Sequence, residues 1–328
     1  MKYNVLILSV GRRVELVKCF KTAAQNLKIE SEIIGGDCAD DAPALYFCDK
    51  SVMLPRISEP NYIDAIIEVC NKESISLVVP TIDTDLLLLS KNKAYIEKNN
   101  KTKILISNEN IIEICRNKVN TQRFLEKYRF NVPHLYTEDE IENENVIFPV
   151  FIKPQDGSSS VNTFKANDIN ELYVFKNIIK NPIIQDYMQG EEYTVDVFLD
   201  FNSNIITVVP RLRITVRSGE ILKGKIIKDR EIIADVINLM QILKPIGHIT
   251  VQCMKTKDGI QYIEINPRFG GGAPMSIYSG ADSCKNLYKL LIGEELVYNE
   301  DYEENLLFLR FDSSICLDEY RNVINNHG

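Results

Sequence analysis

The chain has 328 residues, 45% of them hydrophobic and 26% charged, with a formal net charge of -8. That length exceeds what a single core usually supports, so two or three lobes are expected, and the composition excludes disorder and collagen-like repeats. The acidic balance speaks against general attraction to nucleic acid or to an anionic membrane, so any phosphate-binding groups must be local. Eight cysteines are scattered without a C-x-x-C pair, and His134, His248 and His327 do not cluster, which argues against zinc, redox dithiols or a disulfide scaffold. The N-terminal apolar run is only Val5 to Leu8, no stretch approaches the ~18 apolar residues of a membrane span, and a reduced cytoplasm is the expected compartment.

Residues 3–9 form a continuous apolar run ending before Gly11, and an amphipathic segment over 14–27 follows, which predicts a buried parallel strand, a turn and a helix. Strands at 31–36, 77–79 and 103–106 then alternate with helices at 61–70, 84–95 and 109–115. This alternation predicts a doubly wound parallel α/β domain over 1–115. Asp37 ends the second strand where a ribose-binding acid would lie, but SVGRRVEL has one glycine where a dinucleotide fingerprint needs three, so nicotinamide binding is disfavoured. Arg12, Arg13, Asp83 and Asp85 lie near the carboxyl ends of strands, where such sheets bind ligands; each taken alone reads more readily as a helix cap, for Asp83, or a solvated side chain, for the arginines.

From residue 116 the rhythm changes. A helix over 117–128 carries Lys118 in its first turn, a polar acidic connection spans 137–145, and a strand over 146–153 ends at Lys153. The following loop, with Gly157, Ser158, Ser159 and Ser160, can present backbone N–H groups and hydroxyls to phosphate oxygens. A helix over 170–180 and a strand over 183–187 come next. Gln185, Asp186, Tyr187 and Met188 offer the apolar surface and backbone groups of an adenine slot, and Glu192 can accept hydrogen bonds from a ribose. Strands at 191–199 and 205–209 precede Arg211 and Arg213, which alternate on one face of 211–216 and suit bidentate pairing with a carboxylate or phosphate. A long amphipathic helix is expected over 228–243, a helix over 282–292, and closing strands at 307–311 and 315–317.

The segment QYIEINPRFGGG, from Gln261, gathers the most chemistry. Glu264 and Asn266 share one strand face, Pro267 ends the strand, Arg268 follows, and Gly270, Gly271 and Gly272 let backbone approach something bulky or anionic. A carboxylate and an amide oxygen side by side are hard ligands of the kind Mg²⁺ takes, with substrate phosphates filling the shell. The register of the 248–257 and 260–266 hairpin decides the rest. A two-residue turn at Asp258-Gly259 sets Cys253 opposite Glu264, whereas a three-residue loop over 257–259 with Gly259 left-handed sets Gln252 there. The second register completes an oxygen-rich set and is the one expected.

With Lys118, FIKPQDGSSS, IIQDYMQGEEYTVD, VQ and YIEINPR in this order, the chain resembles the ATP-grasp superfamily, in particular short proteins similar to one half of the carbamoyl-phosphate synthase large subunit. The resemblance implies a two-lobed ATP-grasp fold with antiparallel sheets, a lid subdomain over 116–188 and a metal-bearing subdomain over 189–328. It implies that Lys118 and Lys153 hold ATP phosphates under a Gly157–Ser160 lid, and that residues 185–188 form the adenine hinge with Glu192 at the ribose. Gln185 stands where many members carry glutamate. Gln252, Glu264 and Asn266 correspond to ligands of two Mg²⁺ ions, Mn²⁺ being a compatible alternative, and Arg268 to the arginine at the transferred phosphate. Arg211, Arg213, Gly271 and Gly272 are candidates for holding the acid. The implied activity joins a small carboxylic acid to an amine or other nucleophile through an acyl-phosphate. Small-molecule acid and amine are the implied partners, with a homodimer the assembly the likeness suggests. An ATP-binding sensor without turnover, and carbamoyl-phosphate synthesis with a partner chain, remain alternatives.

Overall fold

In the computed structural model, residues 2–98, 101–156 and 162–324 are described. The first lobe comprises β1 (Asn4–Leu8), α1 (Val14–Leu27), β2 (Ile33–Asp37), β3 (Lys50–Met53), α2 (Tyr62–Lys72), β4 (Ile75–Pro80), α3 (Asp83–Lys98), β5 (Lys103–Ile104) and α4 (Glu109–Arg116). Its five strands lie in the order β3-β2-β1-β4-β5, all parallel. All five residues of β1 are buried because helices cover both sheet faces, which explains its unbroken apolar run. Strand order reverses at β1, so the turns after β1 and β4 open side by side at the carboxyl edge, the usual crevice of such sheets. β3 is an addition to the expected elements: four residues, none buried, at the sheet edge carry no hydrophobic pattern to read.

A small antiparallel lobe follows. After α5 (Lys118–Lys127) and α6 (Glu138–Glu142) come β6 (Val150–Pro154), β7 (Phe164–Ala166), α7 (Ile169–Ile178) and β8 (Pro182–Asp186), with strand order β7-β6-β8. Its own core includes Val150, Ile152, Leu172 and Ile184. The stretch over 137–145, expected as a connection, holds α6, started by a capping box between Thr137 and Glu140. The expected lid range of 116–188 crosses two cores, because Leu125 and Phe130 pack against the following sheet instead.

That sheet is the largest, with order β13-β12-β9-β10-β11-β14. It is built from β9 (Glu191–Leu199), β10 (Ile205–Arg217), β11 (Glu220–Ile226), α8 (Arg230–Leu243), β12 (Gly247–Thr256), β13 (Gly259–Asn266), α9 (Ala273–Tyr278), α10 (Ser283–Leu291) and β14 (Leu307–Leu309). A short pair, β15 (Cys316–Leu317) and β16 (Val323–Ile324), follows. α8 begins where the Asp229 carboxylate accepts from the Ile232 amide at 3.1 Å, and it ends at left-handed Lys244 (φ 53°). Its buried stripe, Ile232, Val236, Leu239, Met240 and Leu243, covers one face of the sheet. The two strands expected over 205–216 are one strand, β10: Pro210 lacks a ladder donor, but pairing with β11 begins only at Arg211.

α1 belongs to two lobes at once. Phe20, fully buried, meets Phe269 edge-to-face at 6.1 Å and Tyr288 at 6.2 Å, and one core joins α1 to α9 and α10. This packing fixes the carboxyl edge of the parallel sheet against the end of β13.

Candidate active site

The hairpin β12–β13 reaches the expected pairing by another route. Its turn has two residues, Lys257 and Asp258, with Thr256 opposite Gly259, so the three-residue loop is corrected. A bulge at Ile263 then supplies the offset: Cys253 faces Tyr262, while Gln252 faces Glu264 and Thr250 faces Asn266. Gln252, Glu264 and Asn266 therefore stand on adjoining positions of two strands. The Asn266 amide donates to Glu264 Oε1 at 2.9 Å, and the Gln252 amide donates to Glu192. With both NH₂ groups so engaged, the two amide oxygens and the second Glu264 oxygen are the groups left to face a cation. Among the described residues no group of three or more His, Cys, Asp or Glu is gathered, so this is a one-carboxylate site that suits a phosphate-bridged Mg²⁺ better than a protein-caged ion.

Two lysines face this corner from the other lobes. Lys153 ends β6 and is only 6% exposed. Burial lowers its pKa from 10.5 to about 8, with Glu264 pulling the other way and Lys118 adding to the depression. Burial also lowers Lys118, opposed by Glu264 and Asp156. Two cations pressed together in a dry corner are a site for polyanion. Lys118, Lys153 and Gln185 line one narrow gap with Ile263, which brings the hinge strand to the lysines. Gly157, Ser158, Ser159 and Ser160 lie outside the described residues.

Asp186 does not face this gap. Its Oδ1 accepts from the Tyr136 hydroxyl at 2.8 Å and its Oδ2 from the His134 amide at 3.3 Å, so the carboxylate ties β8 to the preceding segment and is corrected to a structural role. The Tyr187 ring lies under Lys165 Nζ at 4.4 Å, and Met188 is half-buried beside it in sequence. Glu192 pairs with Arg213 Nε at 3.0 Å as well as with Gln252, which sets it at the metal corner.

A cleft of about 380 Å³ continues from Glu264 and Asn266 to the glycine loop, lined by Arg13, Arg211, Arg213, Arg268 and Arg310. Arg211 is 2% exposed and grips Asp196 through Nε at 2.7 Å and Nη2 at 3.1 Å. Burial pushes the Asp196 carboxyl up, yet Arg211 beside it holds it well below the usual carboxylate range. The expected free clamp is therefore a locked one, its Nη1 reaching only the Met275 sulfur at 3.9 Å; a Cβ on Gly272 would lie 2.6 Å from that atom. Arg213 is likewise engaged, with Glu192, with Thr194 Oγ1 at 3.2 Å and with the Gly219 carbonyl at 2.9 Å. Gly271 and Gly272 do not form an open loop: α9 starts at Ala273, a helix concealed in sequence by the glycines before it.

Arg268 donates through Nε to Asp83 Oδ1 at 2.8 Å and through Nη2 to Asp83 Oδ2. Asp83, at the first turn of α3, is thus a residue of this site and not merely a helix cap. Arg13 reaches the same cleft from the turn after β1. Burial lowers its pKa to about 10, and neighbouring Arg268 adds to the depression. The sequence marked both positions as strand-end residues, but only the docking of α1 on α9 and α10 brings those turns to β13.

A parallel sheet leading into a small antiparallel lobe and a larger antiparallel sheet, with lysines and oxygen ligands where they meet, defines the fold class. The chain carries an ATP-grasp domain behind a PylC-like N-terminal domain. Residues 115–272 match the ATP-grasp domain family, and residues 5–105 match the PylC-like N-terminal domain family. A D-alanine--D-alanine ligase of Fusobacterium nucleatum is 32% identical over 99 residues, which cover 30% of this chain and 33% of that protein. The chain thus spans about a third of that relative. The biotin carboxylase domain of Hydrogenobacter thermophilus 2-oxoglutarate carboxylase, solved with MgADP, ADP and bicarbonate, superposes with a TM-score of 0.73 at 14% identity, covering 92% of this chain and 73% of that one. An L-amino acid ligase from Bacillus licheniformis gives 0.67 at 17% identity, covering 88% and 74%. These structural likenesses concern the fold. Among the described residues, no helix is long and apolar enough to cross a membrane.

Proposed function

We propose that the chain is an ATP-dependent ligase that activates a small carboxylic acid as an acyl-phosphate and passes the acyl group to an amine, releasing ADP and phosphate. The observation that carries this reading is the corner where Lys118, Lys153 and Glu264 interact, flanked by Gln252, Asn266 and Arg268. Mg²⁺ held by Glu264 and the amide oxygens of Gln252 and Asn266 would neutralise phosphate oxygens when bound. The chain's own part is positional. Lys153 from the small lobe and Lys118 from α5 fix the phosphates, the gap beside Gln185 takes the base, and Glu192 holds Gln252 and Arg213 in place at the metal corner.

On this reading Arg268 exchanges Asp83 for the transferred phosphoryl group, and Arg211 Nη1 meets the acid against Gly272. The substrate carboxylate oxygen attacks the γ-phosphorus and the bond to the ADP oxygen breaks. The amine then adds to the acyl carbon, phosphate leaves, and the amine loses its proton. ADP release measured across a panel of acids and amines tests the proposal: turnover requires both co-substrates, and Glu264→Gln abolishes it while the protein stays folded. ATP binding without turnover across the panel would favour the sensor reading.

A further inference from the structure

Four of the five arginines lining the 380 Å³ cleft are spoken for. Arg211 is paired with Asp196, Arg213 with Glu192, Arg268 with Asp83 and Arg310 with Glu220, the last at 3.3 Å. Arg13 differs. Among the described residues it makes no ion pair within 4 Å, and its hydrogen bond is from Nη2 to the Thr81 carbonyl at 3.3 Å. Glu220 and Asp83 act on it from a distance, but each of those carboxylates is itself paired, with Arg310 and Arg268; a half-buried guanidinium with five donors and one carbonyl partner therefore keeps donors for a further anion. The surrounding chain is shaped to leave room for it: a Cβ on Gly271 would stand 2.9 Å from Arg13 Nη1, and one on Gly272 stands 2.6 Å from Arg211 Nη1. Arg211 Nη1 has only the weak acceptor Met275 Sδ, at 3.9 Å, and adjacent Cα atoms are ~3.8 Å apart, so the two guanidinium edges flank neighbouring residues of one backbone stretch and lie within reach of one small molecule.

We infer that Arg13, from the parallel-sheet lobe, is the specificity-determining residue of the acid pocket and that the acid is a dicarboxylate, with one carboxylate held by Arg13 while the other is activated beside Arg211 and Arg268. This rests on the ligase reading for the second carboxylate's fate, but the anion site itself does not. A monocarboxylic acid bound for activation would leave Arg13 desolvated and unpaired in the complex, a penalty a second carboxylate removes. The residue is supplied by the turn at the switch of the parallel sheet, so substrate choice and ATP chemistry would be divided between lobes.

Calorimetric titration of the full chain in the presence of MgADP tests this, with pairs that differ only in one charge: succinate against succinamate, aspartate against asparagine, and glutamate against glutamine. At least one diacid is expected to bind tenfold or more tightly than its amide partner. Arg13→Met should remove that preference while leaving MgADP affinity unchanged, and Arg13→Lys should retain part of it. Absence of any diacid preference, or its survival in Arg13→Met, overturns the inference. ADP release is read separately. Turnover of a monoacid with no diacid preference keeps the ligase and sinks the role of Arg13, whereas diacid preference without turnover under any amine keeps the anion site and sinks the ligase.

Discussion

Lys153→Met should make the ligand-free protein more stable and useless to ATP. In the folded chain the ammonium is buried, and its pKa falls from 10.5 to about 8. That depression corresponds to ~3 kcal/mol of cost for carrying the charge in the folded state. Methionine keeps the unbranched stem and its packing, so the gain should appear nearly undiluted. The pH dependence follows from proton counting. Below pH ~8 the lysine is charged in both folded and unfolded chains and the whole cost is present. Between ~8 and ~10.5 the folded chain has released a proton that the unfolded chain retains, so wild-type stability rises with pH relative to the variant. Urea unfolding of both proteins at pH 7 and pH 10 reads this directly: the variant should lead by ~2–3 kcal/mol at pH 7 and lose most of that lead at pH 10. Equal stabilities at pH 7, or a constant difference across the range, would refute the reasoning. A second consequence is proton uptake. ATP oxygens at Lys153 restore its charge, so binding near pH 8 should take up protons, detected as calorimetric heats that change with the ionisation enthalpy of the buffer.

Asp196→Asn leaves Arg211 buried without its countercharge and should cost about 3–5 kcal/mol in urea unfolding, whereas Asp196→Asn combined with Arg211→Met should recover much of it. Gly272→Ala directs a methyl to 2.6 Å from Arg211 Nη1 at a residue with φ −96°, where the backbone itself is unstrained. Activity should fall at least tenfold with a modest loss of stability, and a crystal structure should show a displaced guanidinium; full activity would remove Arg211 from the site. Gly190→Ala would bring a Cβ to 2.2 Å from the Lys255 carbonyl oxygen, a backbone atom with little freedom. It should lower thermal stability by several degrees, and an unchanged melting temperature would count against the tight approach of the hinge to β12.

Elements with a strong internal period were readable from sequence, and the site residues tied to strand ends came with them. α1 and α8 carry their buried stripes in plain view, and β9 keeps its expected limits because Gly190 precedes it and Asp200 follows it. What escaped depended on partners distant in the chain. β11, EILKGKI, has lysines and a glycine where an alternating pattern would need side chains, and Gly224 is selected by packing against Ile221 and Met275. The occupation of Arg211 by Asp196 required knowing that β9 and β10 are neighbours and in what register. Arg13 and Asp83 were legible as strand-end residues but not as members of this cleft, because no local pattern says which turns of one sheet face another. The bulge at Ile263 has no sequence signal at all; the right pairing of Gln252 was inferred from a turn the chain does not use. Thr137 and Glu140 stand at the spacing of a capping box, but the helix they start is only five residues long and buries only Ile141, too short for an apolar period to mark it.

The shared packing of Phe20, Phe269 and Tyr288 has a bearing on how such a protein can diversify. Phe269 directly follows Arg268, and its ring stacks on His248 at 4.3 Å, so the residue adjoining the arginine paired with Asp83 is also mortar between lobes. An exchange of the parallel-sheet lobe for one reading a different acid cannot be a simple splice at residue 115. α9 and α10 would have to travel with it, or complementary residues on α1 be kept, because a new α1 surface would tilt Arg268 before any substrate arrived. Selection on the acid pocket is thereby coupled to selection on the core beneath it.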